Sequence, residues 1–243
     1  MNHVLITGGS RGIGKELVGL FARNGFKVSF IYNRSATAAE AIVKQLQEEG
    51  FQVFAHQCDI ADEAAVKALF KANKEELSDV DVLINNAGIV GTARPFLLTT
   101  GKDWWEVVHN NIGGVLNFTK NVLPTMIRNK RGRIINVTSL SGLKGNPGMS
   151  AYASSKAAIS AFSKSLSKEL KGTGIIINCV APGFIATDMT KDVTDAYYQQ
   201  RMSNSVAQRM GTTEEAANLI LYLAKDAPAY LVNQEIVLDG GIL

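Results

Sequence analysis

The feature that most constrains the fold of this chain is a regular alternation of short apolar segments with longer amphipathic ones. The apolar segments are strand-like, and the stretches between them have helical spacing. Strands that alternate with helices predict an α/β fold, in which a doubly wound parallel sheet (Rossmann fold) carries helices on both faces. The predicted strands are residues 4–6, 27–32, 52–57, 82–85, 133–137, 175–180 and 235–238.

No internal repeat, low-complexity tract or linker interrupts this alternation. We therefore expect one domain over residues 1–243, a length that suits a single α/β domain. The hydrophobic fraction of 46% is enough for a buried core. Helical segments are expected to end at Gly25 and Gly50, where a left-handed cap is favourable.

Several classes of protein are disfavoured by what the sequence lacks. No apolar run approaches the roughly 18 residues of a membrane span, and no signal-peptide apolar region precedes the first strand, so we expect a cytoplasmic protein. Cys58 and Cys179 lie in separate apolar segments, which favours reduced, packed thiols. His3, His56 and His109 lack ligand spacing, and we expect no metal site. The basic residues accompany no aromatic platform, so nucleic acid is not an expected partner.

The first predicted strand runs directly into a glycine-rich loop, residues 7–14, and then into a helical segment. Glycines let backbone amides approach an anion closely, and a helix N-terminus favours negative charge. A strand, a glycine loop and a helix N-terminus together predict a pyrophosphate site. The spacing is G-x-x-x-G-x-G, which differs from the common G-x-G-x-x-G pattern.

Tyr152 and Lys156 lie four residues apart in a segment of helical character, which places them on one helix face. A cation close to a phenol lowers its pKa from about 10 and makes it a better proton donor at neutral pH. With the Ser139 hydroxyl, the pair has the chemistry needed to protonate a carbonyl oxygen. The same spacing also occurs on solvated helix faces.

Cofactor choice is indicated by the residues that follow the second strand. NAD enzymes usually place an acidic residue there, but this chain has Asn33, Arg34 and Ser35. Arg34, assisted by Arg11 and Ser35, is suited to bind a 2′-phosphate by charge-assisted hydrogen bonds. This predicts NADPH, the alternative being that both arginines are only solvated.

In its ordered motifs the whole chain resembles the short-chain dehydrogenases/reductases, and among them the 3-oxoacyl-acyl-carrier-protein reductases. The motifs are the loop 7–14, Cys58-Asp59, Asn85-Asn86-Ala87-Gly88, Asn111, Ser139, Tyr152 with Lys156, Pro182-Gly183 with Thr187, and Asp239-Gly240-Gly241. The resemblance implies a seven-stranded sheet in the order 3-2-1-4-5-6-7. It also implies NADPH-dependent reduction of a 3-oxoacyl thioester, carried by an acyl carrier protein, in fatty acid or polyketide-type synthesis. A homotetramer built on two long helices, near residues 104–123 and 152–170, is implied as well.

The same resemblance assigns site residues. The implied catalytic residues are Asn111, Ser139, Tyr152 and Lys156; Asn111 is preferred over Asn110, and Ser139 over Ser141, by the family's motif spacing. Lys156 would also hold the nicotinamide ribose, and Asp59 would accept from the adenine amino group unless it only caps the next helix. The implied cofactor-binding residues are Gly8, Ser10, Arg11, Gly12, Ile13, Gly14, Asn33, Arg34, Ser35, Asp59, Ile60, Asn86, Ala87, Gly88, Tyr152, Lys156, Pro182, Gly183, Ile185 and Thr187.

The substrate-facing part of the chain is less clearly defined. Residues 184–210 are expected to form a substrate lid, whose apolar side chains line an acyl site or pack the lid itself. They include Met189, Tyr197, Tyr198, Met202 and Met210. A basic cluster suits an acidic carrier protein or simply a solubilising surface. It consists of Arg128, Lys130, Arg131 and Arg133, with Lys164, Lys168 and Lys171 on a neighbouring helix.

Two departures from the family pattern and two alternative functions stay open. Residues 232–234 read Val-Asn-Gln where relatives usually have glycine, and residues 171–174 lack the arginine that is common in carrier-protein reductases. The alternative functions are a dehydrogenase of a sugar, polyol or other small alcohol, and a non-enzymatic NADPH-sensing or scaffold subunit.

Overall fold

The computed structural model describes residues 2–190 and 194–242. The side chains of Met189 and Tyr197, two of the predicted lid residues, lie outside the part of the chain that is described. Within that part, no helix combines the length and apolar character needed to cross a bilayer.

Seven strands form one parallel sheet in the order β3-β2-β1-β4-β5-β6-β7. This confirms the predicted fold class and strand order. Each predicted strand is present, and most extend one or two residues further than the apolar pattern indicates. The strands are β1 His3–Thr7, β2 Lys27–Tyr32, β3 Val53–Gln57, β4 Val80–Asn85, β5 Gly132–Val137, β6 Ile175–Pro182 and β7 Glu235–Leu238.

Helices connect the strands and cover both faces of the sheet. They are α1 Gly12–Arg23, α2 Ala36–Glu48, α3 Glu63–Ala72, α4 Lys74–Leu77, α5 Gly101–Asn129, α6 Leu140–Lys144, α7 Ser150–Glu169, α8 Asp195–Ser203 and α9 Thr213–Lys225, with short 3-10 turns at Phe96–Leu98 and Asp188–Thr190. Gly25 and Gly50 follow the ends of α1 and α2 with φ of +81° and +88°, the left-handed caps that the sequence predicts.

Two apolar clusters make up most of the core, one on each face of the sheet. The first packs α1, α2 and α9 against the strands, with Phe21 and Phe30 fully buried. The second packs α3, α5 and α7 on the opposite face around Phe118 and Met126. The long helices α5 and α7 pack directly against each other. The sheet is therefore buried on both faces, as a parallel sheet requires.

Asn233 accounts for the first departure from the family pattern. Its φ is +60°, in the left-handed region that glycine occupies most easily. Asparagine tolerates this conformation better than other side chains, because its short polar group bonds locally. Its N–H donates to the Ile177 carbonyl over 2.8 Å, which fixes the entry to β7.

The predicted basic cluster is only partly available for a partner. Arg133 donates to the carbonyl oxygens of Leu223 and Ala227 at 2.6 and 2.7 Å, so its guanidinium holds the end of α9. Arg131 lies 2.9 Å from the carboxylate of Asp81. The predicted basic cluster therefore contains two residues whose guanidinium groups already have partners within the fold. Arg128, Lys130, Lys168 and Lys171 are exposed.

Candidate active site

The predicted site residues lie mainly after the carboxyl ends of the parallel strands. The loops after β1, β4 and β6 meet there, and the segment after β5 joins them. Ligands of open parallel sheets bind at this edge, where the strand order reverses next to β1. The folded chain thus gathers segments that are far apart in sequence.

The glycine loop leaves no space for side chains at its two tightest points. A Cβ added at Gly14 would lie 2.0 Å from the carbonyl oxygen of Gly8, and one at Gly9 would lie 2.6 Å from the Phe30 ring. The N–H groups of Gly8 and Gly9 donate to the Ile31 carbonyl at 2.8 and 3.0 Å, which fastens the loop to β2. The backbone at the start of α1 is therefore held close to the sheet edge, as a pyrophosphate site requires.

The loop after β4 is joined to the glycine loop. The Thr7 hydroxyl oxygen accepts from the N–H groups of Asn86 and Ala87, both at 3.0 Å. The Asn86 amide donates to the carbonyl oxygens of Thr7 and Gly8 at 3.0 and 3.3 Å. The amide of Asn86 therefore braces the two loops.

The loop after β6 approaches the glycine loop from the other side. A Cβ added at Gly12 would lie 3.7 Å from the Thr187 methyl group, so the two predicted cofactor segments are neighbours. Ile185 is buried and pairs with Gly211, and the Gly183 N–H donates to the Leu238 carbonyl at 2.8 Å. Pro182 ends β6 and is buried.

Arg11 and Arg34 are exposed near the same end of the sheet. Arg34 follows β2, and Arg11 occupies the N-cap position of α1. Neither guanidinium makes a salt bridge with any residue in the described ranges. The Asn33 carbonyl accepts from Gln57 at 2.8 Å, and Ser35 stands at the N-cap of α2. This region presents positive charge and contains no carboxylate between Tyr32 and Ala39.

Asp59 and Ile60 follow β3. The Asp59 carboxylate accepts from the Ala61 N–H at 3.0 Å, whereas Asp62 accepts from the first amides of α3 and is its cap. The alternative interpretation of Asp59 as that helix cap was therefore wrong. Ile60 is buried and packs into the space above Gly114, where a Cβ would be 2.4 Å away.

Ser139, Tyr152 and Lys156 come together where β5 ends against α7. Lys156 is buried and donates from Nζ to the Val137 carbonyl at 2.8 Å, and Nζ lies 5.8 Å from the centroid of the Tyr152 ring. Ser139 caps α6 by accepting from the Ser141 N–H at 3.1 Å, and its side chain hydrogen-bonds with Tyr152. Tyr152 therefore lies between the cation and the Ser139 side chain in this set of contacts.

The pKa values in this cluster are set mainly by burial. Burial raises the pKa of Tyr152, while its hydrogen bond with Ser139 acts in the opposite direction. Burial also lowers the pKa of Lys156 to about 8. The Lys156 ammonium donates to the Val137 backbone, and desolvation outweighs the hydrogen bond with Ser139 at Tyr152, so the lowering of the phenol's pKa by Lys156 stays a prediction.

Asn111 is fully buried in α5, and both ends of its side-chain amide are hydrogen-bonded within the protein. The amide oxygen accepts from the Ile89 N–H at 2.8 Å, and the amide nitrogen donates to the Ile89 carbonyl and the Ser155 hydroxyl, both at 2.9 Å. Gly88 approaches both this side chain and the Lys156 ammonium, since a Cβ there would lie 3.0 and 3.4 Å from them. Asn111 therefore ties the β4 loop to α7 next to Lys156. Asn110 is half-buried.

Tyr152 lines an open pocket of about 200 Å³. Its walls come from the loop after β4, the start of α5 and the start of α7, and include Ile89, Arg94, Asp103, Val107 and Met149. Arg94 and Asp103 lie 3.6 Å apart across the wall. No local sequence pattern distinguishes these residues from ordinary loop and helix positions, so they could not be predicted.

The family model described as short chain dehydrogenase matches residues 2–198. This chain belongs to the short-chain dehydrogenase family. Among curated short-chain dehydrogenases, a 3-oxoacyl-[acyl-carrier-protein] reductase of Synechocystis is 42% identical over 98% of this chain and 96% of its own length. A reductase of the same description from Staphylococcus aureus is 38% identical, again over 98% of this chain and 96% of its own length.

A solved structure of the same family has the same fold. The crystal structure of a 3-oxoacyl-[acyl-carrier protein] reductase from Brucella melitensis superimposes with a TM-score of 0.91. The match covers 99% of this chain and 91% of the other, at 29% identity. Short-chain dehydrogenases use a nicotinamide cofactor, and the cradle formed by Gly8, Gly9 and Gly14 fits the diphosphate of such a molecule.

Proposed function

We propose that this protein reduces a 3-oxoacyl thioester, carried by an acyl carrier protein, to the 3-hydroxyacyl thioester with NADPH. The observation that carries the proposal is the convergence of Ser139, Tyr152 and Lys156 between β5 and α7, with Tyr152 also lining the pocket. The near full-length similarity to carrier-protein reductases supports the substrate class. The reaction belongs to fatty acid or polyketide-type synthesis.

The cofactor is held by this chain's own backbone and cations. The amides of Ser10, Gly12, Ile13 and Gly14 face the diphosphate, and Thr187 with Ile185 holds the nicotinamide end. Arg34, with Arg11 and Ser35, pairs with the 2′-phosphate, which NAD lacks. Asp59 and Ile60 border the adenine, and Asn86, Ala87 and Gly88 border the ribose. Bound NADPH supplies the hydride for the ketone carbon.

The side chains of the site protonate and hydrogen-bond the oxygen of the ketone. Tyr152 transfers its phenolic proton to that oxygen as negative charge develops, and Ser139 donates a hydrogen bond to it. Lys156 places its positive charge beside the phenol and stabilises the phenolate that results. Asn111 fixes the β4 loop against α7 and thereby holds Lys156 in place.

An exposed basic patch is the proposed binding surface for the carrier protein. The patch is positively charged, is smaller than the sequence predicts, and would bind an acidic carrier protein; it consists of Arg128, Lys130, Lys168 and Lys171.

The buried thiols of Cys58 and Cys179 form no disulfide, which fits a reducing compartment such as the cytoplasm. We further propose that residues 1–243 act as one domain and that α5 and α7 form the contacts of a homotetramer.

Steady-state turnover tests the proposed substrate. The purified protein is assayed with NADPH against carrier-bound 3-oxoacyl thioesters of different length and unsaturation, and against free sugars, polyols and small ketones. Selective reduction of the thioesters supports the proposal. Turnover restricted to sugars or polyols would favour the dehydrogenase alternative, and NADPH binding with no turnover on any substrate would favour a sensing role.

A further inference from the structure

Glu235, the first residue of β7, contacts the residues next to the proposed catalytic cluster and does not line the pocket. Its side chain is only 8% exposed. The carboxylate oxygen Oε1 accepts from the Thr138 hydroxyl at 2.8 Å and from the Ser160 hydroxyl at 2.5 Å. Burial of a carboxylate is costly unless its hydrogen bonds are made, so two side-chain donors at one oxygen indicate a specific arrangement.

Thr138 connects Glu235 to the backbone next to the proposed catalytic cluster. It lies between Val137, whose carbonyl accepts from the Lys156 ammonium, and Ser139, whose hydroxyl bonds with Tyr152. Its N–H donates to the Val180 carbonyl at 2.8 Å, and its hydroxyl has two acceptors within reach, Glu235 Oε1 at 2.8 Å and the same Val180 carbonyl at 3.0 Å. With the backbone held by β6 and the side chain held by Glu235, the acceptor for Lys156 and the Ser139 hydroxyl are fixed relative to each other.

Ser160 provides the second connection, one turn after Lys156 on α7. Its hydroxyl has one proton and two acceptors within reach, the Lys156 carbonyl at 3.2 Å and Glu235 Oε1 at 2.5 Å. The carboxylate is the stronger acceptor and the closer one. Glu235 therefore holds the turn of α7 that carries Lys156, while Thr138 connects it to β5.

Strand register places this carboxylate at the end of a polar row across the sheet. Asn85 is opposite Asn136, Asn136 is opposite Cys179, and Cys179 is opposite Glu235. Asn85 donates to Asn136 at 2.8 Å, and Asn136 donates to the Ser163 hydroxyl of α7 at 2.7 Å. The row supports the strand ends and α7 from within the protein.

The second carboxylate oxygen, Oε2, shows that the arrangement is not a simple ion pair. It accepts no hydrogen bond within residues 2–190 and 194–242, and the nearest cation, Lys164 Nζ, is 3.9 Å away. The functional contacts are thus at Oε1, which is an acceptor that an amide can also supply.

We propose that Glu235 is a positioning residue that fixes the relative placement of Ser139 and Lys156 through Thr138 and Ser160. This inference deepens the proposed function and rests on it for its kinetic test. Glu235 could not be identified from the sequence, because its contacts depend on the register of β7 and on the packing of α7. No local motif indicates either.

The kinetic test compares Glu235→Leu and Glu235→Gln with the parent on a 3-oxoacyl thioester and NADPH. Glutamine keeps the acceptor at Oε1, so we expect kcat within about 1.5-fold of the parent. Leucine removes it and lets both hydroxyls turn to their backbone acceptors, so we expect kcat to fall about tenfold or more, with KM within about threefold. Glu48→Leu, an exposed carboxylate change on α2, is the matched control and should keep parental kinetics.

The result that overturns the inference is a folded Glu235→Leu protein with parental kcat, or an equal loss in Glu235→Gln and Glu235→Leu. A purely structural role would lower the fraction of folded protein without changing kcat per folded site. If Glu235→Leu does not fold, Ser160→Ala and Thr138→Val each remove one donor to Oε1. We expect each to lower kcat by about threefold at little change in KM, and parental kcat in both would overturn the inference.

A crystallographic comparison separates this inference from the proposed function. If the parent reduces no 3-oxoacyl thioester, the proposed function fails, but the positioning role of Glu235 can still be tested. The positions of Lys156 and Ser139 in crystal structures of the parent and Glu235→Gln are then compared with those in Glu235→Leu or in the two donor variants. Displacement or alternate conformers of Lys156 and Ser139 only where the Oε1 contacts are lost support the inference. Unchanged positions in every variant overturn it.

Discussion

The Lys156 ammonium lies 5.8 Å from the centroid of the Tyr152 ring, yet its hydrogen bond goes to the Val137 carbonyl. The cation is therefore close enough to stabilise a phenolate but is anchored by the backbone of β5. This anchoring fixes its distance from the phenol independently of the phenol itself. Removal of the phenolic oxygen should consequently leave the rest of the site in place.

Tyr152→Phe should abolish proton transfer while it preserves cofactor binding. We expect turnover to fall by about 10²- to 10⁴-fold, the usual range for loss of a general acid. The Kd for NADPH, measured by fluorescence titration, should stay within about threefold of the parent. A variant that keeps substantial turnover would contradict the assignment of Tyr152 as the acid.

The rate of reduction should depend on the charge of Lys156. Burial lowers the pKa of this ammonium from 10.5 to about 8, so the cation is present below pH 8 and lost above it. We therefore expect kcat/KM for reduction to fall as the pH rises through about 8. A pH–rate profile from pH 6 to 10 checks this, with Lys71→Met, a change of an exposed lysine on α3, as the control. A flat profile up to pH 10 would argue against this role.

Arg34→Asp should change the cofactor preference. Loss of a charge-assisted hydrogen bond costs about 1.5–3 kcal/mol, so NADPH affinity should fall about 10- to 100-fold or more. The affinity for NADH should change by less than about threefold. Lys44→Asp makes the same charge change on the exposed side of α2 and should leave both affinities unaltered. Equal losses for NADPH and NADH in Arg34→Asp would refute the 2′-phosphate contact.

The stability of the fold should decrease in mild acid because of His3. This residue is fully buried; desolvation lowers its pKa below 6.5, although a hydrogen bond with Asp79 acts in the opposite direction. The unfolded chain thus binds a proton more readily, so the free energy of unfolding falls as the pH drops below 6.5 toward the folded-state pKa. Urea unfolding at pH 7.5 and 5.5 should show this loss, and His3→Gln should lose less over the same interval.

Asp79, the carboxylate partner of His3, does not titrate between pH 7.5 and pH 5.5. Burial works to raise the pKa of Asp79, but its hydrogen bonds with His3 and Lys27 outweigh this and hold it below 3.8. Asp79 stays ionised at pH 5.5 in both states. An identical loss of stability in the parent and His3→Gln would therefore assign the acid sensitivity to other groups.

Asn233 provides a test of backbone strain. At φ +60° an ordinary side chain costs about 1–2 kcal/mol, so Asn233→Ala should lower the free energy of unfolding by about 1 kcal/mol. Asn233→Gly, the matched control, should stay within about 0.5 kcal/mol of the parent, because glycine adopts this conformation freely. Urea unfolding measures both, and equal stability of the two variants would contradict the argument.

Much of the fold was predictable because strand and helix periodicities are local. The end of β1 in the glycine loop and the positive φ values of Gly25 and Gly50 follow directly from short stretches of sequence. Strand order came from family resemblance, since parallel strands adjacent in space are joined through long crossovers. Lys156 could be identified by its spacing from Tyr152, but the lowered pKa of its ammonium could not, since burial is a tertiary property.

The less predictable features depend on contacts between distant segments. Arg133 reads as part of a basic surface cluster, yet it binds carbonyl groups about 90 residues away at the end of α9. Glu235 reads as an ordinary strand residue, and only the register between β6 and β7 brings it to Thr138 and Ser160. Sequence patterns indicate which residue types are present, whereas such partnerships appear only in the folded chain.

The contact between Gly14 and the Gly8 carbonyl has a practical consequence for engineering. Any side chain at position 14 would push the glycine loop away from α1, so this position offers no freedom to a designer. Arg34 and Ser35 lie outside that contact, beyond the end of β2. The capacity to hold a dinucleotide and the choice between two dinucleotides are thus separate properties of this chain, and a library that varies positions 34 and 35 can alter the second while it leaves the first intact.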